Sequence, residues 1–269
     1  MSSFFFTFVF MMNNNPIGLF DSGIGGTSIW KEIHLLLPNE NSIYLADSKN
    51  APYGQKSKDE IIHLSEKNTE FLLNKNCKII VIACNTATTN AAKELRAKYD
   101  IPFIGIEPAI KPAAIQSQTQ KIGILATKGT LNSELFHKNI EKFQDIEIIE
   151  QVGVGLVDLI EKGNINSAEM TKLLHSYLKP MVEQNIDYLV LGCSHYPYLI
   201  PQIKKIIPPH IKIIDSGEAV ARQTKNILHE KVGFRMEDQP STQLFYTNSN
   251  PTVLESILKN HYHIIQEDF

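Results

Sequence analysis

The stretch KIIVIACNTATT, residues 78–89, decides the fold. It starts with a short apolar run of β-branched residues, 79–82, and reaches Cys84, which Asn85 and several threonines follow. A continuous apolar run of this kind predicts a strand buried on both faces of a parallel sheet. The polar residues behind it predict a helix that is capped by Asn85 and the threonines and begins near Thr86.

Cys84 is therefore expected at the carboxyl end of a buried strand. Open α/β sheets bind their ligands at that edge. The thiol also precedes the start of a helix, where the partial positive charge favours a thiolate. These two features make Cys84 a candidate reactive group.

The same arrangement occurs again in DYLVLGCSHYP, residues 187–197. An apolar strand ends on Cys193, and Ser194 and His195 follow at once. The third cysteine, Cys77, precedes the first strand and is predicted to be a buried hydrophobic residue. Burial is the ordinary explanation for any single cysteine, but two strand-end cysteines with polar neighbours favour a shared function.

Composition excludes several classes of protein. The net charge of −3 over 269 residues is too small to suggest nucleic acid or a membrane surface as the main partner. Three cysteines, none in CxxC spacing, argue against a disulfide framework and against a structural zinc site. We therefore expect a protein of the reducing cytoplasm, without a structural metal site.

The first twelve residues are apolar but carry no basic residue and are too short to span a bilayer. Neither a signal peptide nor an anchor is predicted. Met11 and Met12 stand directly before NNNP, and we expect translation to start at one of them. Residues 1–12 would then be a non-structural extension.

From Pro16 onward, strand and helix patterns alternate, which predicts an α/β fold of two similar domains with parallel-rich sheets flanked by helices. The segment EPAIKPAAIQSQTQ, residues 107–120, predicts a crossover between them. The end of the chain is too short for a domain and is expected to return to the first one. We predict a first domain of residues 13–107 plus 218–269 and a second of residues 108–217, with the site in the cleft between them.

A glycine-bearing turn, DSGIGG at residues 21–26, follows the first predicted strand and enters a helix. Its glycines allow an anion such as a carboxylate or phosphate to approach the helix start. A tight turn without a ligand explains them equally well, and the spacing differs from the dinucleotide fingerprint G-x-G-x-x-G. The loop SKNAPYGQKS, residues 48–57, follows the next strand and precedes a capping box of Ser57 and Glu60.

Two halves that each offer one strand-end thiol suit a particular chemistry. Thiols on opposite sides of one carbon can remove a proton from one face and return a proton to the other, which inverts a stereocentre. One sulfur must then be a thiolate while the other is a thiol. The ordinary pKa of cysteine, about 8.5, allows either form near neutral pH.

Six segments in this order resemble the aspartate/glutamate racemase superfamily, in particular its cofactor-independent glutamate racemases. They are GLFDSGIGG (18–26), APYG (51–54), ACNTA (83–87), EPAIKPA (107–113), ATKGT (126–130) and GCSHYP (192–197). The resemblance covers nearly all of the chain from Ile17 onward. It implies interconversion of L- and D-glutamate without PLP or any other cofactor, and a supply of D-glutamate for peptidoglycan synthesis, and so for cell-wall biogenesis and cell shape.

The resemblance also implies roles for matching residues. Cys84 would exchange the α-proton of D-glutamate with help from Asp21, and Cys193 that of L-glutamate with help from His195 and Glu161. The implied substrate-binding residues are Asp21, Ser22, Pro52, Tyr53, Gly54, Asn85, Thr86, Thr127, Thr130, Ser194 and His195.

Two positions depart from the family pattern. Ser194 stands where the family most often has threonine, and it keeps the hydroxyl. Gly153 and Val154 replace a Cys-Pro pair, which makes the alignment at Glu161 less secure.

Simpler explanations remain open for four of these side chains. His195 could donate to a backbone carbonyl, Asp21 could cap a helix, Tyr53 could only pack its loop, and Glu161 could face solvent. Three classes of function also remain: a glutamate racemase, a relative such as an aspartate racemase or a single-cysteine decarboxylase, and a non-catalytic amino-acid-binding module. The sequence leaves open whether the chain is a monomer or a homodimer.

Overall fold

A computed structural model describes residues 12–236 and 239–269. Residues 1–11 of the predicted extension therefore lie outside the described residues. Met12 itself forms an isolated parallel bridge with Phe234. In the described part of the chain, no helix combines the length and the apolar character that crossing a membrane requires.

Strands and helices alternate along the described chain. The strands are β1 (Ile17–Asp21), β2 (Ser42–Ala46), β3 (Ile79–Ile82), β4 (Phe103–Gly105), β5 (Lys121–Ala126), β6 (Glu147–Val152), β7 (Tyr188–Gly192), β8 (Lys212–Ile214), β9 (Gln243–Thr247) and β10 (Ile264–Gln266). The α-helices are α1 (Thr27–Leu36), α2 (Lys58–Asn74), α3 (Asn85–Lys98), α4 (Ile110–Gln116), α5 (Lys128–Leu131), α6 (Glu134–Ile140), α7 (Leu156–Glu161), α8 (Ala168–Glu183), α9 (Ile200–Ile203), α10 (Gly217–Ile227) and α11 (Thr252–Ile257).

These strands form two parallel sheets. The first has the order β10-β9-β2-β1-β3-β4 and the second the order β6-β5-β7-β8, and the strand pairs within them are parallel. The predicted fold class is confirmed. The last strands, β9 and β10, join the first sheet; the exact domain boundaries stay a prediction. Strand β10 was not predicted, because three residues at a sheet edge give too short a pattern.

Strand β3 shows why both faces of its sheet are covered by apolar layers. Ile79 and Val81 pack into one hydrophobic cluster, whereas Ile80 and Ile82 pack into another on the opposite face. Successive side chains of a strand point to opposite faces, so an unbroken apolar run is what a sheet covered on both sides demands.

Side-chain caps mark the starts of several helices, among them α2, α3 and α6. The predicted capping box is present, since Ser57 accepts a hydrogen bond from the Glu60 backbone and Glu60 binds back to Ser57. The prediction for α3 was wrong by one residue: the helix begins at Asn85 and its cap is Cys84, whose Sγ accepts from the Ala87 backbone. Ser133 caps α6, and its side chain accepts a hydrogen bond from the Phe136 backbone.

Candidate active site

The carboxyl ends of strands from both sheets meet around one small cavity. Cys84 follows β3 of the first sheet and Cys193 follows β7 of the second, and both thiols line this cavity. The other lining residues are Ser22, Pro52, Tyr53, Gly54, Asn85, Thr86, Thr127, Val157, Ser194 and His195. Its volume of about 10 Å³ is close to the space needed by one water molecule. The cleft is therefore closed and must widen to admit an amino acid.

Cys84 is buried at the start of α3. Its Sγ accepts a hydrogen bond from the Ala87 backbone at 3.4 Å and lies 3.7 Å from Ser22 Oγ. Burial raises the pKa of the thiol well above its ordinary value, and the nearby Asp21 charge raises it further. The contact with Ala87 lowers the pKa, as expected at a helix start, but it is outweighed. The helix start therefore favours the thiolate, as predicted, but burial and the Asp21 charge dominate and hold the pKa of Cys84 well above its ordinary value.

Asp21 ends β1 and is fully buried. Its Oδ2 accepts a hydrogen bond from the Gly26 backbone at 2.8 Å, and its Oδ1 accepts one from Ser194 Oγ at 3.1 Å. Burial raises the pKa of this carboxyl group. The same side chain thus braces the turn before α1 and reaches the opposite half of the cleft, so the two explanations for Asp21 are compatible.

Cys193 has a histidine as its neighbour. His195 Nδ1 lies 3.8 Å from Cys193 Sγ, and His195 Nε2 lies 2.5 Å from Glu161 Oε1. Burial lowers the pKa of His195, but the contacts with Cys193, Glu161 and Asp21 outweigh it and hold the pKa well above its ordinary value. An imidazolium beside Cys193 is suited to a negatively charged sulfur. The two thiols thus differ in their neighbours, since the Asp21 charge acts on Cys84 and the His195 ring contacts Cys193.

The glycine-bearing turn at residues 21–26 binds an anion, and this anion is the Glu161 carboxylate of the same chain. The Ile24 backbone donates to Glu161 Oε1 at 2.7 Å, and the Gly25 backbone lies 3.3 Å from His195 Nε2. A methyl group on Gly23 would overlap the Glu161 carboxylate, and one on Gly25 would overlap the His195 ring. These glycines admit two side chains from the second half of the chain. Glu161 is only 14% exposed, so the solvent-facing alternative was wrong.

Three threonine hydroxyls form a cluster at the cavity, of which Thr86 and Thr127 line the cavity and the predicted Thr130 does not. Thr86 Oγ1 lies 2.8 Å from Thr127 Oγ1 and 3.3 Å from Thr130 Oγ1, so these contacts cross between the halves. The buried Asn85 side chain lines the same cavity, and within the described residues neither its Nδ2 nor its Oδ1 has a hydrogen-bond partner. Buried amides are normally satisfied. Asn85 is thus available to a ligand.

Tyr53 uses its hydroxyl away from the ligand space. It donates to Asp47 Oδ2, and Asn68 Nδ2 donates to the Tyr53 hydroxyl at 3.1 Å. The ring still lines the cavity, so packing of the loop and contact with a ligand are both available to this residue.

Some residues at the site escaped sequence reasoning. Val157 lines the cavity and lies four residues before Glu161 on α7. That spacing puts both side chains on one helix face. Val157 could therefore have been found from its four-residue spacing to Glu161. Ser48 donates to Glu161 Oε2 at 2.8 Å, for which no local pattern gives a signal.

Replacing His195 with glutamine is expected to remove a pH-dependent part of the stability. Because the folded pKa of His195 is raised, its contribution is fully present below about pH 6.5, the ordinary pKa, and is lost as the pH rises through the folded value. Urea unfolding from about pH 6 to about pH 9 should show the largest difference from wild type at the low end. A difference between His195→Gln and wild type that grows with pH would contradict the assignment.

The fold and the cleft define a class of α/β protein with two halves, each of which places one thiol at the end of a strand. Comparison with known proteins shows which family this class belongs to. A model of the Asp/Glu/hydantoin racemase family matches residues 26–224. The glutamate racemase of Pseudomonas entomophila is 43% identical over 246 residues, which is 90% of this chain and 92% of the relative.

Solved structures agree. The Escherichia coli glutamate racemase, in complex with L-glutamate and an activator, UDP-MurNAc-ala, superposes with a TM-score of 0.84 at 31% identity, covering 94% of this chain and 97% of that one. The Francisella tularensis glutamate racemase in complex with D-glutamate has a TM-score of 0.82 at 30% identity, with 95% and 98% covered. The chain belongs to the Asp/Glu/hydantoin racemase family, in its glutamate racemase branch. Members of this branch are isomerases that act without PLP.

Proposed function

We propose that this protein interconverts L- and D-glutamate by proton transfer at the α-carbon between Cys84 and Cys193. The observation that carries the proposal is that both thiols line one cavity between the two sheets. Each thiol also has a separate partner, Asp21 with Ser22 for one and His195 for the other. Opposed bases on one carbon are what inversion of a stereocentre requires.

The surroundings of the two sulfurs suit the conversion of L-glutamate to D-glutamate. A Cys193 thiolate, accompanied by the His195 imidazolium, removes the α-proton of L-glutamate. The Cys84 thiol then donates its proton to the opposite face, which gives D-glutamate and leaves a Cys84 thiolate. The reverse reaction exchanges these roles.

The α-proton of an amino acid is a poor acid, so the site must stabilise a carbanion-like transition state. Hydrogen-bond donors fixed around the substrate carboxylate in a dry cavity perform this function best. Asn85, Thr86 and Thr127 line the cavity and supply such donors without permanent charge. Thr130 and Ser194, whose hydroxyls contact Thr86 and Asp21, complete the set of binding residues that we propose. Pro52, Tyr53 and Gly54 cover the cavity from the adjoining loop.

Further parts of the proposal follow from the reaction. D-glutamate is a building block of peptidoglycan, so we assign the protein to cell-wall synthesis in the bacterial cytoplasm, by analogy with the family. Either a monomer or a homodimer is compatible with the site, because the contacts described lie within one chain.

Substrate choice provides the test of this function. Purified protein is incubated with L-glutamate or L-aspartate, without added PLP, and the products are separated by chiral chromatography. D-glutamate should form and D-aspartate should not. Faster conversion of aspartate would favour the related aspartate racemase, and no conversion of either would favour a binding module.

A further inference from the structure

The Glu161 carboxylate is held by residues of the opposite half of the cleft. Ile24 donates to Oε1 at 2.7 Å and Ser48 donates to Oε2 at 2.8 Å. Oε1 also lies 2.5 Å from His195 Nε2. The Ser48 hydroxyl therefore fixes the oxygen that does not face the histidine, and so fixes the rotation of the whole carboxylate.

Water would compete for this carboxylate if Ser48 were absent. Ser48 and Glu161 both line an outer cavity of about 480 Å³ beside the catalytic one. The terminal torsion of a glutamate side chain is soft, so a carboxylate that has lost one partner can turn toward this space. His195 would then lose the group that holds its ring.

We propose that Ser48 is a positioning residue for the Cys193 side of the site, holding Glu161 so that Glu161 keeps His195 oriented toward Cys193. This inference rests on the proposed two-thiol reaction. The contacts of Cys84 with Ser22 and Ala87 lie outside this chain of contacts. Loss of the Ser48 hydroxyl should therefore impair the step in which Cys193 is the base more than the step in which Cys84 is.

Racemisation rates cannot reveal a variant that impairs proton removal by Cys193 more than proton removal by Cys84. The two enantiomers have equal free energy, so kcat/KM must be the same in both directions for any variant. Elimination from 3-chloroglutamate avoids this constraint. A thiolate removes the α-proton, the electron pair forms the new C=C bond, and chloride leaves with the C–Cl pair; the resulting enamine is hydrolysed to 2-oxoglutarate and ammonium. The L-configured α-carbon uses Cys193 and the D-configured one uses Cys84.

The experiment compares elimination rates of the Ser48→Ala variant for both α-configurations. We expect a loss of about tenfold for the L-configured compound, the factor for one hydrogen bond to a charged group, and little change for the D-configured one. Ser48→Thr, which keeps the hydroxyl, should restore the rate. Ser117→Ala is the matched control, because Ser117 Oγ also donates to a carboxylate, Asp187 Oδ1 at 2.7 Å, but neither residue lines the catalytic or the outer cavity; its effect should be equal for both compounds.

Equal losses for both configurations in Ser48→Ala, or no loss, would overturn the role of Ser48 while leaving the proposed function intact. Wild-type protein that neither racemises glutamate nor releases chloride would overturn the proposed function and the role of Ser48 with it.

Discussion

Serine in place of Cys84 or Cys193 is expected to lower kcat for racemisation by at least about 10³-fold, within the range attributed to a positioned acid or base. A serine hydroxyl is a far weaker acid than a thiol, so neither the base nor the proton donor is replaced. Each single variant should still remove the α-proton of one enantiomer, because one thiol remains. The Cys84→Ser variant should act on L-configured and Cys193→Ser on D-configured 3-chloroglutamate.

Cys77 supplies the control for this pair. It is buried on the first half of the chain, and burial raises its pKa to about 12, so it stays a neutral thiol. Cys77→Ala should keep wild-type kcat and KM in the same chiral assay. A Cys84→Ser or Cys193→Ser variant that racemises within about tenfold of wild type would contradict the two-thiol reaction, since that is far less than the effect expected of a lost base.

Replacing Lys78 with methionine is expected to reduce the free energy of unfolding by about 3–5 kcal/mol, because it leaves a buried charge without its partner. Lys78 Nζ lies 2.7 Å from Glu40 Oε2, with side chains only 1% and 5% exposed. The ammonium group also donates to the carbonyls of Asn13 and Gly233. It thereby joins the segments that precede β1 and follow α10 to the start of β3.

Urea unfolding monitored by circular dichroism measures this effect. The exposed pair of Lys49 and Asp268, 2.9 Å apart with side chains 61% and 79% exposed, provides a matched control. Lys49→Met should change the unfolding free energy by less than about 1 kcal/mol. Adding Glu40→Leu to Lys78→Met should recover part of the lost free energy of unfolding, since it removes the Glu40 carboxylate that has lost its ammonium partner. If Lys78→Met reduced the free energy of unfolding as little as Lys49→Met does, the buried pair would add little to stability.

Features that depend on neighbours in sequence could be predicted. The unbroken apolar run 79–82 predicted a strand covered on both faces, and its residues divide between two hydrophobic clusters. A thiol follows each of two such strands, and open α/β sheets bind ligands at the carboxyl ends of their strands. The two halves were therefore expected to face each other across one cleft. Ser57 and Glu60 predicted their capping box for the same local reason.

Features that depend on the docking of the two halves could not be predicted. The turn at residues 21–26 suggested an anion, but nothing in its spacing identifies that anion as Glu161, 137 residues away from Ile24. The raised pKa of Cys84 likewise depends on complete burial and on the Asp21 charge, which local sequence does not show. Asp47 accepts a hydrogen bond from the Tyr53 hydroxyl, and no local pattern in the sequence identifies this partner.

Deuterium labelling tests most directly whether two different groups act on the two faces of the α-carbon. Purified protein is incubated with L-glutamate in D₂O without added cofactor, and both enantiomers are separated and analysed by mass spectrometry at low conversion. The D-glutamate formed should carry deuterium at the α-carbon, while the remaining L-glutamate keeps its proton. Deuterium entering the L-glutamate pool as fast as D-glutamate appears, or D-glutamate that retains the original proton, would contradict the two-thiol reaction.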